Sequence, residues 1–243
     1  MTPEAPATLA GLTVLCQDDW LLAIDKPAGL LVHPSRLDAH EPDDVVTRLR
    51  ALWPQQPPSP LHRLDKGTSG VLLLARDADT ARRMGQAFTA GEVDKRYLAL
   101  VRGWPADEGH TDTPLARDPE LPSTGQTMMP ASSRWRVLAR LEWPVATHAA
   151  FANTRCALVQ VMPQTGRRHQ IRRHFKQLGH PLIGDATHGK GPLNRALAAW
   201  LGVQRLWLHA ESVSFRHPVQ GAAVRIHAPP GAEWAGLAGR ALP

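Results

Sequence analysis

The chain has 243 residues, enough for one large domain or two small ones around a proper core. Hydrophobic residues make up 43% and charged residues 21%, and no apolar run approaches the ~20 residues that span a bilayer, so a helical membrane protein is excluded. The net charge of +6 rests on 23 Arg against 5 Lys. Arg grips phosphate bidentately and stacks on bases, which favours a nucleic acid, although a biased base composition would also enrich Arg in a chain rich in Ala and Pro.

Residues 1–10 read as a flexible leader, and MTPEAPATLAGLTVL lacks the basic start and continuous apolar core of a secretory signal. From Leu12, two strand-like runs flank the acidic turn Gln17–Asp18–Asp19, and Lys26–Pro27–Ala28–Gly29 makes a sharp loop. Apolar Val45, Val46, Leu49 and Leu52 recur at spacings of three and four, which predicts a helix over 43–53. A Pro-rich loop then leads into LHRLDKGTSGVLLLA, residues 61–75. Thr68, Ser69 and Gly70 read as a turn, and Val71–Ala75 as a buried strand, so Asp65 sits in a loop anchored by the core. Arg63 and Lys66 flank it, and positive neighbours favour a carboxylate's ionised form, which suits a nucleophile or a base. An Asp65–Arg63 surface ion pair explains the same charge pattern.

Asp77 or Asp79 caps a second helix, whose apolar face carries Ala81, Met84, Ala87 and Phe88 and which Gly91 stops. Alternation over 93–101 predicts a strand. Tyr97, the only tyrosine, lies in it behind Lys95 and Arg96. An aromatic beside positive charge suits a stacked base, but the pattern alone favours a strand Tyr packed half in the core. Residues 103–134 are rich in Pro, Asp, Thr and Ser and read as a surface excursion with short strands; strands over 134–141 and 155–162 follow. In MPQTGRRHQIRRHFKQLGHPLIGD, residues 162–185, Thr165 and Gly166 open a helix ending at Gly179, with Ile171, Phe175 and Leu178 facing the core. Arg167, Arg168, Arg172, Arg173 and Lys176 make the remainder basic, and no acid occurs between Met162 and Gly184 to pair with them. Such clustering favours phosphate contact over a solvated charged face.

No metal is expected. His169 and His174 lie about 140° apart around a helix, unlike the i, i+4 pair of a zinc site. Cys16 and Cys156 form neither a metal spacing nor a disulfide framework, which makes a reduced cytoplasmic setting the default. No P-loop or dinucleotide fingerprint is present, and no cofactor is expected.

His62, Arg63, Leu64, Asp65, then Thr68, Ser69 and Gly70 ahead of an apolar strand resemble the active-site signature of the RluA-type RNA pseudouridine synthases. Thr165, Gly166, Arg167, His169, Gln170, Ile171 and Arg172 resemble that family's second signature, and the KPxG loop, HPLIGD, LHA and HP extend the likeness over about 12–230. The resemblance implies an α+β fold: a single catalytic domain over 11–232, with a central, mostly antiparallel sheet, flanking helices and a basic cleft where the HRLD loop meets the Tyr97 strand. Residues 233–243 would be a tail, and no separate N-terminal RNA-binding domain is expected. It implies conversion of an RNA uridine to pseudouridine, with Asp65 catalytic, Tyr97 stacking on the target base and Arg172 pairing with Asp65. His62, Arg63, Lys95, Arg96, Arg167, Arg168, Arg173 and Lys176 would bind RNA, while Thr68, Ser69, Gly70, His169, Gln170 and Ile171 support the site. Strings such as QDDWLLAIDKPAGLLVH and TGRRHQIRRH look closest to the branch acting on uridine 65 of tRNA; an rRNA or dual substrate is the alternative. A cytoplasmic monomer with RNA as its partner, and neither a membrane nor an obligate protein partner, is expected. A silent RNA-binding protein on the same scaffold is the rival. A glycosidase would need a second carboxylate, and a metal nuclease an acidic or His cluster, near these signatures.

Overall fold

A computed structural model describes residues 7–34, 40–147 and 151–237. In chain order the elements are β1 (Thr8–Leu9), β2 (Leu12–Gln17), β3 (Leu21–Lys26), α1 (Val45–Leu52), β4 (Ser59–Pro60), β5 (Ser69–Ala75), α2 (Ala78–Ala90) and β6 (Asp94–Arg102). There follow β7 (Glu108–Thr111), β8 (Leu115–Ala116), β9 (Met128–Met129), β10 (Ser133–Trp143), β11 (Thr154–Pro163), α3 (Gln170–Gln177), α4 (Gly191–Leu201), β12 (Leu208–Arg216), β13 (Ala223–His227) and α5 (Ala232–Ala235). The class is α+β, and the pairings β1–β2, β2–β3, β3–β5, β4–β5, β6–β11, β10–β11, β7–β10, β12–β13 and β8–β9 are antiparallel. The chain divides into two compact units; it passes from the first to the second after Asp94, returns at Ala210 and leaves again after Pro229.

In the first unit the strands run β1-β2-β3-β5-β12, with β4 on β5 and β13 on β12. Every residue of β5 is buried, so it reads as an unbroken apolar run rather than an alternation. Val71 and Leu73 pack with Leu21, Ala23, Met84, Val213 and Phe215. Local chemistry sets α2 at both ends. Asp77 accepts from Thr80 N at its start, and Gly91, at φ 75°, closes it in the left-handed region. Asp18 does the same for the β2–β3 turn, accepting from the Trp20 and Leu21 N–H groups. Of the expected leader, residues 1–6 lie outside the described residues, and Thr8 and Leu9 pair with Thr13 and Leu12.

In the second unit the strands run β6-β11-β10-β7, with β8 and β9 as a separate ribbon inside the 103–134 excursion. The two faces of this sheet follow the period of two. Ala99, Val101, Val159 and Val161 pack against Ile171 and Phe175 of α3. Leu98, Leu100 and Cys156 face Leu193, Leu197 and Leu201 of α4. Trp234 and Leu237, beyond the expected domain end at 232, join that second cluster.

Candidate active site

In the first unit, the loop from Leu61 to Gly70 is held by its backbone. Leu61 N donates to Leu73 O at 2.9 Å, and Leu73 N donates to His62 Nε2 at 3.1 Å. His62 also lies 5.6 Å from the Phe88 ring. One ring nitrogen of His62, expected at the RNA, is thus spent on the core strand. Thr68 N donates to Asp65 O at 2.9 Å, so the turn spans Asp65–Thr68, and Ser69 and Gly70 already belong to β5 rather than to the expected turn. Gly70 has φ 107°, and a Cβ there would stand 2.2 Å from Ala210 O, which leaves room for glycine alone.

Lys26 does more than open the KPxG loop. It is fully buried at the end of β3, and its Nζ donates to Pro27 O at 2.9 Å, Leu30 O at 2.7 Å and Lys66 O at 3.2 Å. Gly29 N also donates to Lys66 O, at 2.8 Å. The residue after Asp65 is therefore pinned by two donors from the 26–29 loop. The available signal was a lysine closing a strand of buried residues, beside a Pro and a Gly. The Lys66 side chain reaches Glu41 Oε1 at 2.6 Å. Asp65 is half-buried and Arg63 exposed, while Thr68 is buried with no hydrogen-bond partner for its hydroxyl among the described residues.

In the second unit, Tyr97 lies opposite Val161 on β6, half-buried against the α3-side cluster. Lys95 Nζ donates to Thr165 O at 3.3 Å, and Arg96 is exposed. The TGRRHQIR segment is a turn followed by a helix, not a helix from Thr165. Gln170 makes the difference. Its Oε1 accepts from Thr165 Oγ1 at 2.6 Å and Arg167 N at 2.9 Å, and its Nε2 donates to Ser132 O and Ser133 Oγ. His169 takes φ 53° to turn the chain, and α3 begins one residue later. Ile171 and Phe175 face the core as expected; Leu178 ends the helix and is 37% exposed.

Two basic residues of this segment have acidic partners, Arg168 in the 103–134 excursion and Arg172 at Asp185, where the segment ends. Arg168 pairs with Glu120 and lies 3.8 Å from Asp118, both in the 103–134 excursion. Arg172 is buried rather than on a solvent face. Its Nε donates to Asp185 Oδ2 at 2.8 Å and its Nη2 to Asp185 Oδ1 at 2.9 Å. Arg167 Nε donates to Pro130 O and Arg173 Nη1 to Ala116 O, and Lys176 alone of the segment's expected RNA contacts is exposed.

Burial alone would raise the Asp185 carboxyl, but the Arg172 hydrogen bonds and charge, with the His188 N–H, hold it below its ordinary value. Burial pushes the His188 imidazole down to about 4 against the opposing pull of Asp185; the positive charges of Arg172, His169 and Lys176 add to the fall. His188 Nε2 and His169 Nδ1 lie 3.0 Å apart. Among the described residues no three His, Cys, Asp or Glu side chains are grouped to hold a metal ion.

Comparison with known proteins fits these elements. The sequence model described as RNA pseudouridylate synthase matches residues 20–177, which takes in the Asp65 loop, the Tyr97 strand and α3. The chain is 40% identical over 231 residues to the tRNA pseudouridine synthase C of Vibrio cholerae serotype O1, covering 93% of this chain and 94% of that one. It is 41% identical over 237 residues to the protein of the same name from Pasteurella multocida, again over 93% and 94%. Among solved structures it resembles Human RNA Pseudouridylate Synthase Domain Containing 1, with a TM-score of 0.68 at 25% identity over 93% of this chain and 86% of that one.

Proposed function

Because the chain belongs to the RNA pseudouridylate synthase family, we propose that it isomerises one uridine of a tRNA to pseudouridine, with uridine 65 as the target. The observation that carries this reading is the near full-length likeness to tRNA pseudouridine synthases C, together with both signature segments.

In the reaction the C1′–N1 glycosidic bond breaks, the uracil turns and a C1′–C5 bond forms. The C5 hydrogen leaves as a proton and N1 ends protonated. The rearrangement is internal and needs no electron or group donor. Asp65 is the residue proposed to carry it, as a nucleophile toward C1′ or C6 or as a base toward a ribose proton. Arg172 serves the Asp65 carboxylate, Tyr97 stacks on the base and Arg63 fills the space that base vacates. Extruding a base costs a few kcal/mol of stacking, which contacts to the flipped base must offset. The exposure of Arg63, Arg96 and Lys176 supports them as phosphate or base contacts, with Lys95, Arg167, Arg168 and Arg173 behind them. The protein is proposed to act as a cytoplasmic monomer on RNA. Among the described residues no helix is long and apolar enough to cross a membrane.

The test is a tritium-release assay, with purified protein and a tRNA transcript labelled at uridine C5. Wild type releases the label, Asp65→Asn retains tRNA binding without release, and a transcript with uridine 65 replaced is inert. Release that persists in Asp65→Asn would contradict the assignment of the residue. Release from the replaced transcript would contradict the assignment of the position.

A further inference from the structure

The turn after Gly184 reaches the second signature segment at two points. Asp185 holds the Nε and Nη2 edge of Arg172, and His188 contacts His169 across 3.0 Å. This turn is itself rigidly built. Asp185 Oδ1 also accepts from the Thr187 and His188 N–H groups at 2.9 and 2.8 Å, so the carboxylate that orients the guanidinium is fixed by its own backbone. Asn194 of α4 ties the turn from outside. Its Nδ2 donates to Asp185 O at 2.9 Å, and its Oδ1 accepts from Gly184 N at 3.0 Å. Gly184 sits at φ 75° with Arg205 O 1.7 Å from where a Cβ would be, so only glycine fits at the entry to the turn.

A surface Arg–Asp pair would need none of this. The Arg172–Asp185 pair is buried and bidentate, and the carboxylate also accepts two backbone N–H groups of its own turn. We infer that Asp185 is a positioning residue for catalysis: it fixes the angle of the Arg172 guanidinium so that Arg172 can serve the reacting group. This rests on the proposed role of Arg172 toward Asp65. The frame extends to Asn194 and Gly184, which act through Asp185, and to His188, which steadies His169 where the chain turns into α3. Small misplacements of an orienting group reduce a catalytic step without weakening substrate binding in proportion.

The experiment is a double-mutant cycle of Asp185→Asn and Arg172→Ala in the full-length protein. The kcat and KM for tRNA are measured for each variant, with thermal unfolding to establish that it is folded. Asp185→Asn is expected to lower kcat about 10–100-fold with KM nearly unchanged, and to cost nothing further once Arg172 is Ala. Wild-type kcat in a folded Asp185→Asn protein, beside a strong loss in Arg172→Ala, overturns the role of Asp185 and leaves that of Arg172. Wild-type kcat in Arg172→Ala overturns the reading of Arg172 itself. Losses that multiply in the double variant assign Asp185 to the fold and overturn positioning. Where Asp185→Asn does not fold, Asp185→Glu keeps the charge and shifts the carboxylate by one methylene; it is read against the same outcomes.

Discussion

Lys26 shows how a residue far along the chain can fix a candidate catalytic loop. It is buried with three backbone carbonyls around its Nζ, one of them on Lys66, the residue after Asp65. Replacing it with Met keeps the length of the stem and leaves those carbonyls without their donor. A buried acceptor that loses its partner costs about 1–3 kcal/mol. Lys26→Met is therefore expected to lower stability by about 2–4 kcal/mol, read from the urea midpoint at constant m. It is also expected to lower kcat in the protein that remains folded, because the Lys66 carbonyl then keeps only the Gly29 N–H. An unchanged midpoint would show that the carbonyls find other donors. Burial of this kind is invisible in the sequence, because one partner lies 40 residues downstream. The same holds for Arg172: its charge was legible, but the carboxylate that grips it is 13 residues away in a turn with no periodicity of its own.

At the scale of elements, legibility followed locality. Both ends of α2 were readable because Asp77 and Gly91 are local caps. The start of α3 was misplaced because it depends on Gln170 bridging back to Thr165 and across to Ser132 and Ser133, contacts that no helical period encodes. The turn that braces α3 carries a pH prediction. His188 has a folded value of about 4 against an ordinary 6.5, so the folded state favours its neutral form. Between those values the unfolded chain binds more protons than the folded one, and stability rises with pH there. The contribution is full above about 6.5 and is lost as pH falls toward 4. Burial lowers His174 as well, in the same sense. His188→Gln should flatten the fall in melting temperature between pH 6.5 and 4; a variant that tracks wild type through that window would remove His188 from the account.

Over the whole molecule, charge is divided unevenly. The first unit carries 11 Lys and Arg against 14 Asp and Glu, and the second carries 17 against 8. The overall +6 therefore conceals an acidic unit bearing Asp65 and a strongly basic one bearing Tyr97 and Arg172. A polyanion gains counterion-release free energy from the second unit, which is expected to dominate tRNA affinity. Each exposed arginine of that unit that meets a phosphate, with Arg96 and Arg134 the candidates, should lower the slope of log K against log salt by about 1 when changed to Ala. Exposed Arg82 of the first unit, already paired with Asp79, should leave that slope unchanged. Equal slopes for all three variants would contradict the division of labour.

If Asp65 makes this chain a tRNA uridine isomerase, pseudouridine mapping of total tRNA and rRNA will show it. Three strains are compared: one with the gene deleted, one restored with wild type and one restored with Asp65→Ala. A single tRNA site, uridine 65, is expected to be lost on deletion and to return with wild type alone. Restoration by Asp65→Ala, or an unchanged map after deletion, would contradict it, while loss of an rRNA site instead would keep the enzyme and replace its substrate.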